Sequence, residues 1–234
     1  FSLSNKQQIL ISIILPTYNH AKFLKKAIQS VINQSYLRWE LIIIDNNSKD
    51  GTFEIVNSYI DPRIRYIKIR NNGIIAASRN AGIFASSGSW IAFIDSDDTW
   101  NQDKIKEQIS FMKKNNYQIS HTSYFIIDEK KKIIGQRRAR DLLSINEVLK
   151  SCDIGLSTVI IEKQVILKTN IKFPQLVTKE DFVFWLTLLK KNHKFYAYDN
   201  NLTNWTDSKN SLSSSTIQKL IDGFKVYNYY MDFN

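Results

Sequence analysis

The residues best suited to chemistry stand at 90–100, Trp-Ile-Ala-Phe-Ile-Asp-Ser-Asp-Asp-Thr-Trp. An apolar run with the length and composition of a buried central strand stops abruptly at Asp95, Ser96, Asp97 and Asp98. Carboxylates this close repel one another unless a cation is shared. A hard divalent ion with oxygen ligands is the natural partner, and such ions commonly sit between carboxylates and a substrate's phosphates. The plainer reading is a solvated acidic turn that caps the next helix. The elements around the stretch have to decide between them.

Four strands precede or contain it. The spacing predicts strands over 9–15, 39–44, 64–69 and 90–94, with the first stopped by Pro16, which cannot donate to a central ladder. Between them, 21–34 carries Phe23, Leu24, Ala27, Ile28, Val31 and Ile32 at helical spacing, 52–59 reads as a short helix, and 74–85 as a helix rich in small residues. Short strands alternating with helices imply an α/β fold with a parallel sheet covered on both faces. In such sheets ligands bind at the carboxyl ends of the strands. Thr17–Asn19, Asp45, 71–73 and Asp95–Asp97 all fall at those ends, so four loops converge on one rim.

The rhythm then changes. Helices are expected over 102–114, 144–150 and 178–189, and strands over 118–127, 156–161, 194–198 and 202–205. Residues 132–135 pair with 118–127 as a hairpin. A polar loop over 200–215 and a Tyr-rich helix over 216–233 close the chain. No internal repeat and no long linker divides it, so the expectation is one domain with two functional halves, 1–100 and 101–234.

Composition narrows the class. At 43% hydrophobic and 23% charged, the 234 residues are those of an ordinary globule. No apolar run approaches the roughly 20 residues of a membrane span, and 9–15 is too short for a signal peptide. One cysteine, Cys152, excludes an internal disulfide framework and fits a reducing cytoplasm; it is expected in the core. His20, His121 and His193 stand far apart, which argues against zinc. The net charge is +10, but no nucleic-acid-binding signature accompanies it, so no nucleic-acid partner is expected. Basic proteins of this kind work on phosphorylated ligands or near anionic head groups.

Taken in order, Ile13-Ile14-Leu15-Pro16-Thr17-Tyr18-Asn19, Ile43-Ile44-Asp45-Asn46-Asn47-Ser48-Lys49-Asp50-Gly51-Thr52, Ser78-Arg79-Asn80-Ala81-Gly82, Phe93-Ile94-Asp95-Ser96-Asp97-Asp98 and Glu180-Asp181 with Trp185-Leu186 resemble the family 2 glycosyltransferases of the GT-A fold. The resemblance covers roughly 9–190. It implies a Rossmann-like, mostly parallel nucleotide-binding sheet with a smaller acceptor-side half, and an enzyme that moves a sugar from a nucleotide sugar to a hydroxyl with inversion.

By the same resemblance, Pro16, Thr17, Tyr18 and Asn19 with Asp45 hold nucleobase and ribose. Arg79 lies at the diphosphate, where its bland reading is a solvated helical arginine. Asp95, Ser96 and Asp97 form the Asp-x-Asp, with Asp97 and Asp95 on Mn²⁺ or Mg²⁺, and Asp181 is the catalytic base. Asn46 and Asn47 depart from the Asp-Gly usual in this family after the second strand. Asn tolerates a left-handed backbone, so the turn survives, while base selectivity is less defined.

Asp181 also has a structural reading, because Thr178-x-x-Asp181 has capping-box spacing. Both roles are compatible, since a helix N-terminus favours an ionised carboxylate. Glu180 and Trp205 are candidate acceptor contacts, the latter as a sugar-stacking platform. The expected partners are a UDP-sugar donor and a saccharide or lipid-linked saccharide acceptor, in the cytoplasm. The basic stretches 130–132 and 137–140 read as solvated hairpin positions; for a lipid-linked acceptor the location would be the inner face of the membrane, and the same stretches would then make a peripheral contact. A sugar-phosphate nucleotidyltransferase would share sheet and metal site but needs a Gly-rich phosphate loop, which 16–20 is not. A non-catalytic saccharide-binding module is the third class.

Overall fold

A computed structural model describes residues 9–150, 152–207 and 226. The 208–215 stretch and, apart from Val226, the expected helix over 216–233 lie outside the described residues.

The first half alternates strand and helix as expected: β1 (Ile11–Thr17), α1 (Ala21–Ile32), β2 (Trp39–Asp45), α2 (Thr52–Asn57), β3 (Ile64–Lys68), α3 (Ile75–Ala85) and β4 (Trp90–Phe93). These strands lie in the order β3-β2-β1-β4, each pair parallel. β1 is buried on both faces. Ile11, Ile13 and Leu15 pack with α1 residues Leu24, Ala27, Ile28 and Val31 on one side. Ile14 packs with Ala76 and Ile83 of α3 on the other. This is why the strand reads as a continuous apolar run rather than an alternation.

Pro16 lies inside β1, not beyond it. Ile14 C=O accepts from Ile94 N–H at 3.1 Å on the β4 side, and Thr17 C=O accepts from Asn46 N–H at 3.0 Å on the β2 side. Pro16 shares the parity of Ile14, so its missing N–H faces β4. Pairing with β4 has already ended there, at Ile14–Phe93. The strand therefore continues at no hydrogen-bond cost.

The second half extends the same sheet: β5 (Thr99–Trp100), α4 (Lys104–Asn115), β6 (Ile119–Ile127), β7 (Ile133–Arg137), α5 (Ile145–Lys150), a 3₁₀ turn (Leu156–Thr158), β8 (Ile160–Glu162), α6 (Lys163–Thr169), α7 (Glu180–Lys190) and β9 (Tyr196–Thr206). The order runs on as β4-β8-β6-β9-β5, with β7 beside β6 and β8 antiparallel to β4. The strand expected over 156–161 is thus a 3₁₀ turn followed by a short strand. The two strands expected over 194–205 are one, whose pairing with β6 shifts between Thr122 and Tyr124. The loop expected over 200–215 is strand β9 up to Thr206. β5 and α6 were not expected; β5 is too short for any periodicity to show. Cys152 is exposed, contrary to its expected core position.

Helix α7 is buried nearly all round, as its composition requires. Val183, Phe184, Trp185, Leu186, Leu188 and Leu189 are all in the core. Phe173 stacks on Phe184 with ring centroids 4.1 Å apart. Asn80 clamps the Phe173 backbone from α3, donating to its C=O at 2.9 Å and accepting from its N–H at 3.0 Å. These contacts lock the start of α7 against α3, and the site lies there.

Candidate active site

Arg79 and Asp181 come from α3 and α7, on the face of the sheet where those helices pack. A Cβ at Gly82 would approach Ile14 Cγ2 to 2.5 Å, so only glycine lets α3 settle this close to β1. One turn before it, Arg79 is 3% exposed, not solvated. Its Nη2 donates to Asp95 Oδ1 at 2.8 Å and its Nη1 to Glu180 Oε1. Its Nε is buried without a partner among the described residues, and the guanidinium faces the Phe173 ring at 5.6 Å. Burial alone would lower the pKa of Arg79. Asp95 and Glu180 overcome this and hold it protonated.

Glu180 and Asp181 open α7. The left-handed backbone of Lys179 (φ 61) precedes them as N-cap. Asp181 Oδ1 accepts the N–H of its neighbour Phe182 at 2.7 Å, but the N-cap is Lys179 and no side chain caps the helix, so the expected capping box with Thr178 is not formed. Burial raises the pKa of Asp181, with Arg79 opposing and Asp95 adding to the rise. Glu180 is pushed up to about 7, again chiefly by burial. In this arrangement Glu180, expected as an acceptor contact, has one oxygen committed to Arg79.

The acidic turn divides its labour. Asp98 is 1% exposed. Its Oδ2 accepts from Ser157 Oγ at 2.5 Å and its Oδ1 from Thr206 N–H at 2.9 Å. Burial pushes its pKa well above the carboxylate range. Asp98 is therefore a brace that ties the turn to the second half. Ser157 completes that brace by accepting Asp95 N–H at 3.0 Å. Thr206 completes it by donating to Asp97 C=O at 2.5 Å. Asp95 and Asp97, both part-exposed, are left at the rim. Ser96 is buried and bonds His20 Nδ1 at 2.8 Å. Neither Ser157 nor His20 carried a sequence signal for this role. Each lies in a turn whose partner is 59 or more positions away along the chain.

At the adjoining strand ends Asp45 is 1% exposed. Its Oδ1 accepts from Ser48 Oγ and its Oδ2 from Tyr66 Oη, each at 2.5 Å. Thr17 Oγ1 is buried with no partner among the described residues, whereas Tyr18 is 55% exposed at the rim. Asn19 and Asn47 both have left-handed backbone, φ 49 and 59, which bears out the reading that Asn47 preserves its turn. Asn19 N–H donates to Ser48 Oγ at 2.9 Å, and Asn19 Oδ1 accepts from Lys49 N–H at 2.8 Å. These bonds lace the β1 and β2 loops into one wall. Trp205 stands opposite Ile126 in β9, half-buried, one residue from the Thr206 that braces the acidic turn. It is a strand residue beside the site, not the tip of a loop.

Among the described residues no three His, Cys, Asp or Glu side chains are grouped to hold a metal alone. Asp95 and Asp97 offer hard oxygen donors on one turn. A divalent ion there would complete its shell with substrate phosphates and water, as Mg²⁺ and Mn²⁺ readily do.

Comparison with known proteins shows the family and the fold. The sequence model for "Glycosyl transferase family 2" matches residues 12–170. TuaG of Bacillus subtilis, named provisionally as a teichuronic acid biosynthesis glycosyltransferase, is 34% identical over 88% of this chain and 82% of its own. WfgD of Escherichia coli, named UDP-Glc:alpha-D-GlcNAc-diphosphoundecaprenol beta-1,3-glucosyltransferase, is 37% identical over 79% of this chain and 71% of its own. Among solved structures, S. aureus TarS 1-349 in complex with UDP-GlcNAc superposes with a TM-score of 0.77 at 20% identity, covering 88% of this chain and 61% of TarS. The mixed sheet is thus that of the GT-A glycosyltransferases, and the chain belongs to glycosyl transferase family 2.

Proposed function

We propose that this chain transfers a sugar, with inversion, from a UDP-sugar to a hydroxyl of a saccharide or lipid-linked saccharide in bacterial surface-polysaccharide assembly. The observation that carries this reading is the buried Asp95–Arg79–Glu180 chain, which ends next to Asp181. It sets a carboxylate base beside a fixed cation on the rim where the nucleotide loops converge. The names of WfgD and TuaG support the substrate class and pathway.

The chemistry follows from the groups present. A nucleotide would seat against the wall of Thr17, Tyr18, Asn19 and Asp45, where the buried Thr17 hydroxyl has no partner among the described residues. Arg79, held protonated between Asp95 and Glu180, would lend its positive charge to the leaving diphosphate. Asp181 accepts the proton of the attacking hydroxyl, a contribution of typically 10²–10⁴-fold. Burial raises its pKa, which strengthens its ionised form as a proton acceptor. A Mn²⁺ or Mg²⁺ ion held by Asp97 and Asp95 would supply Lewis-acid stabilisation of the leaving diphosphate.

The test is thermal unfolding with UDP, Mn²⁺ and both together, followed by a nucleotide-sugar hydrolysis screen. Metal-dependent protection by UDP and slow release of UDP from one donor are expected. Protection by oligonucleotides instead of UDP would overturn the reading.

A further inference from the structure

Strands β6 and β7 form a hairpin at the margin of the sheet, where β7 pairs with β6 alone among the described strands. Its turn is braced by itself. Lys131 N–H donates to Asp128 C=O at 2.9 Å, Asp128 N–H to Lys132 C=O at 3.0 Å, and Lys132 N–H to the Asp128 carboxylate at 2.9 Å. Lys130, Lys131, Lys132 and Arg137 are all exposed on this ribbon. So are Ile133 at 54% and Ile134 at 52%. Successive strand residues point to opposite faces, so both faces of the ribbon present an isoleucine to solvent. The acidic groups nearby are already engaged: Asp128 in the turn, Glu129 with Lys22 at 2.8 Å and Asp199 with Arg138 at 3.2 Å.

The turn end of the hairpin adjoins the site. Ile127 pairs with Thr206, which bonds Asp98 and Asp97. Lys22, which holds Glu129, lies two residues from the His20 that bonds Ser96.

We propose that the β6–β7 hairpin docks on an anionic lipid surface, with Lys130–Lys132 and Arg137 at the phospholipid head groups and Ile133 and Ile134 in the interfacial layer. A basic cluster combined with inserted apolar groups is the two-signal arrangement that reversible membrane binding needs. The phosphates of a nucleic acid would take the lysines but offer nothing to two exposed isoleucines, which favours lipid. Docking there turns the rim that carries Asp95 and Asp97 toward the bilayer. Lipid binding itself does not depend on the transferase reading; only its use in presenting an acceptor does.

The test is co-sedimentation of the full chain with phosphatidylglycerol–phosphatidylcholine vesicles and with phosphatidylcholine vesicles, at fixed salt. Binding to the anionic vesicles alone is expected. K130Q/K132Q should weaken it about thirtyfold, at about fivefold per cation. The charge-matched K113Q/K114Q, on the last turn of α4, should change it less than about threefold. I133S/I134S should weaken binding with all cations in place, while circular dichroism and protection by UDP stay unchanged. Equal loss in the two lysine pairs, or no loss in the isoleucine variant, would sink the proposal, as would preference for an oligonucleotide over the vesicles.

Discussion

Arg79 Nη2 lies 2.8 Å from Asp95 Oδ1, and the same guanidinium reaches Glu180, so one buried cation joins the acidic turn to the head of α7. Lysine is a single point charge and cannot span both carboxylates with a planar fork. Arg79→Lys is expected to raise KM for the nucleotide sugar and lower kcat together. Arg79→Ala leaves carboxylates uncompensated and should cost about 3–5 kcal/mol of stability. Thermal unfolding of both variants beside steady-state kinetics checks this. Unchanged unfolding in the alanine variant would deny the bridge.

Neighbouring carboxylates in the acidic turn should behave oppositely. Asp97→Ala is expected to abolish transfer in a protein that unfolds near the wild-type temperature. Asp98→Ala strands Thr206 N–H and Ser157 Oγ, at a cost of about 1–3 kcal/mol for each buried group left unpaired. Denaturant unfolding of the pair separates the rim residue from the brace.

Asp181→Asn keeps the shape of the side chain but removes the proton acceptor, so transfer should fall by 10²-fold or more. In the wild type the acid limb of kcat/KM should lie above the ordinary carboxylate range, because burial raises both Asp181 and Glu180. The two carboxyls interact, so the limb reports the pair and not one residue. Glu180→Gln is expected to shift that limb without abolishing turnover. Normal rates in Asp181→Asn would remove it as the base.

Lys104 gives stability a pH dependence of known sign. It is fully buried, with Nζ 2.8 Å from Gln108 Oε1 and 4.5 Å from the Trp100 ring, and burial lowers its pKa to about 7. Unfolded lysine titrates near 10.4. Between those values the unfolded chain binds the extra proton, so stability from this group rises from about pH 7 to about pH 10. Lys104→Met should flatten that rise, measured by urea midpoints across the range. A slope unchanged from the wild type would contradict it.

Chelation gives a further contrast. EDTA should stop transfer while leaving the unfolding temperature of the nucleotide-free protein unchanged, because no group of three protein ligands among the described residues holds a metal for folding. Added Mn²⁺ or Mg²⁺ should restore activity. A large drop in unfolding temperature would indicate a structural ion instead.

Local patterning carried the parallel half. Apolar runs of strand length, helical spacing in 21–34 and polar residues at each strand end determined β1 to β4, and thereby the rim on which Thr17, Asp45 and Asp95 meet. Periodicity is a property of neighbours in the chain, and these elements bury faces defined by neighbours. It had less to say about the second half, where β5 pairs with β9 across about a hundred residues and β8 is three residues long.

The roles within the site were decided by tertiary contacts. The Asp-x-Asp spacing sets Asp97 apart from Asp98, but nothing in Asp-Ser-Asp-Asp shows that Asp98 is buried. Only the approach of Ser157 and Thr206 buries one and leaves the other at the rim. Likewise Arg79 is an ordinary helical arginine until Gly82 lets α3 close on β1 and α7 brings Glu180 to meet it. The sequence by itself determined which chemical groups were available and at which strand ends. The fold decided which of them are desolvated and paired, because burial and charge proximity depend on distances in space that separation along the chain does not encode.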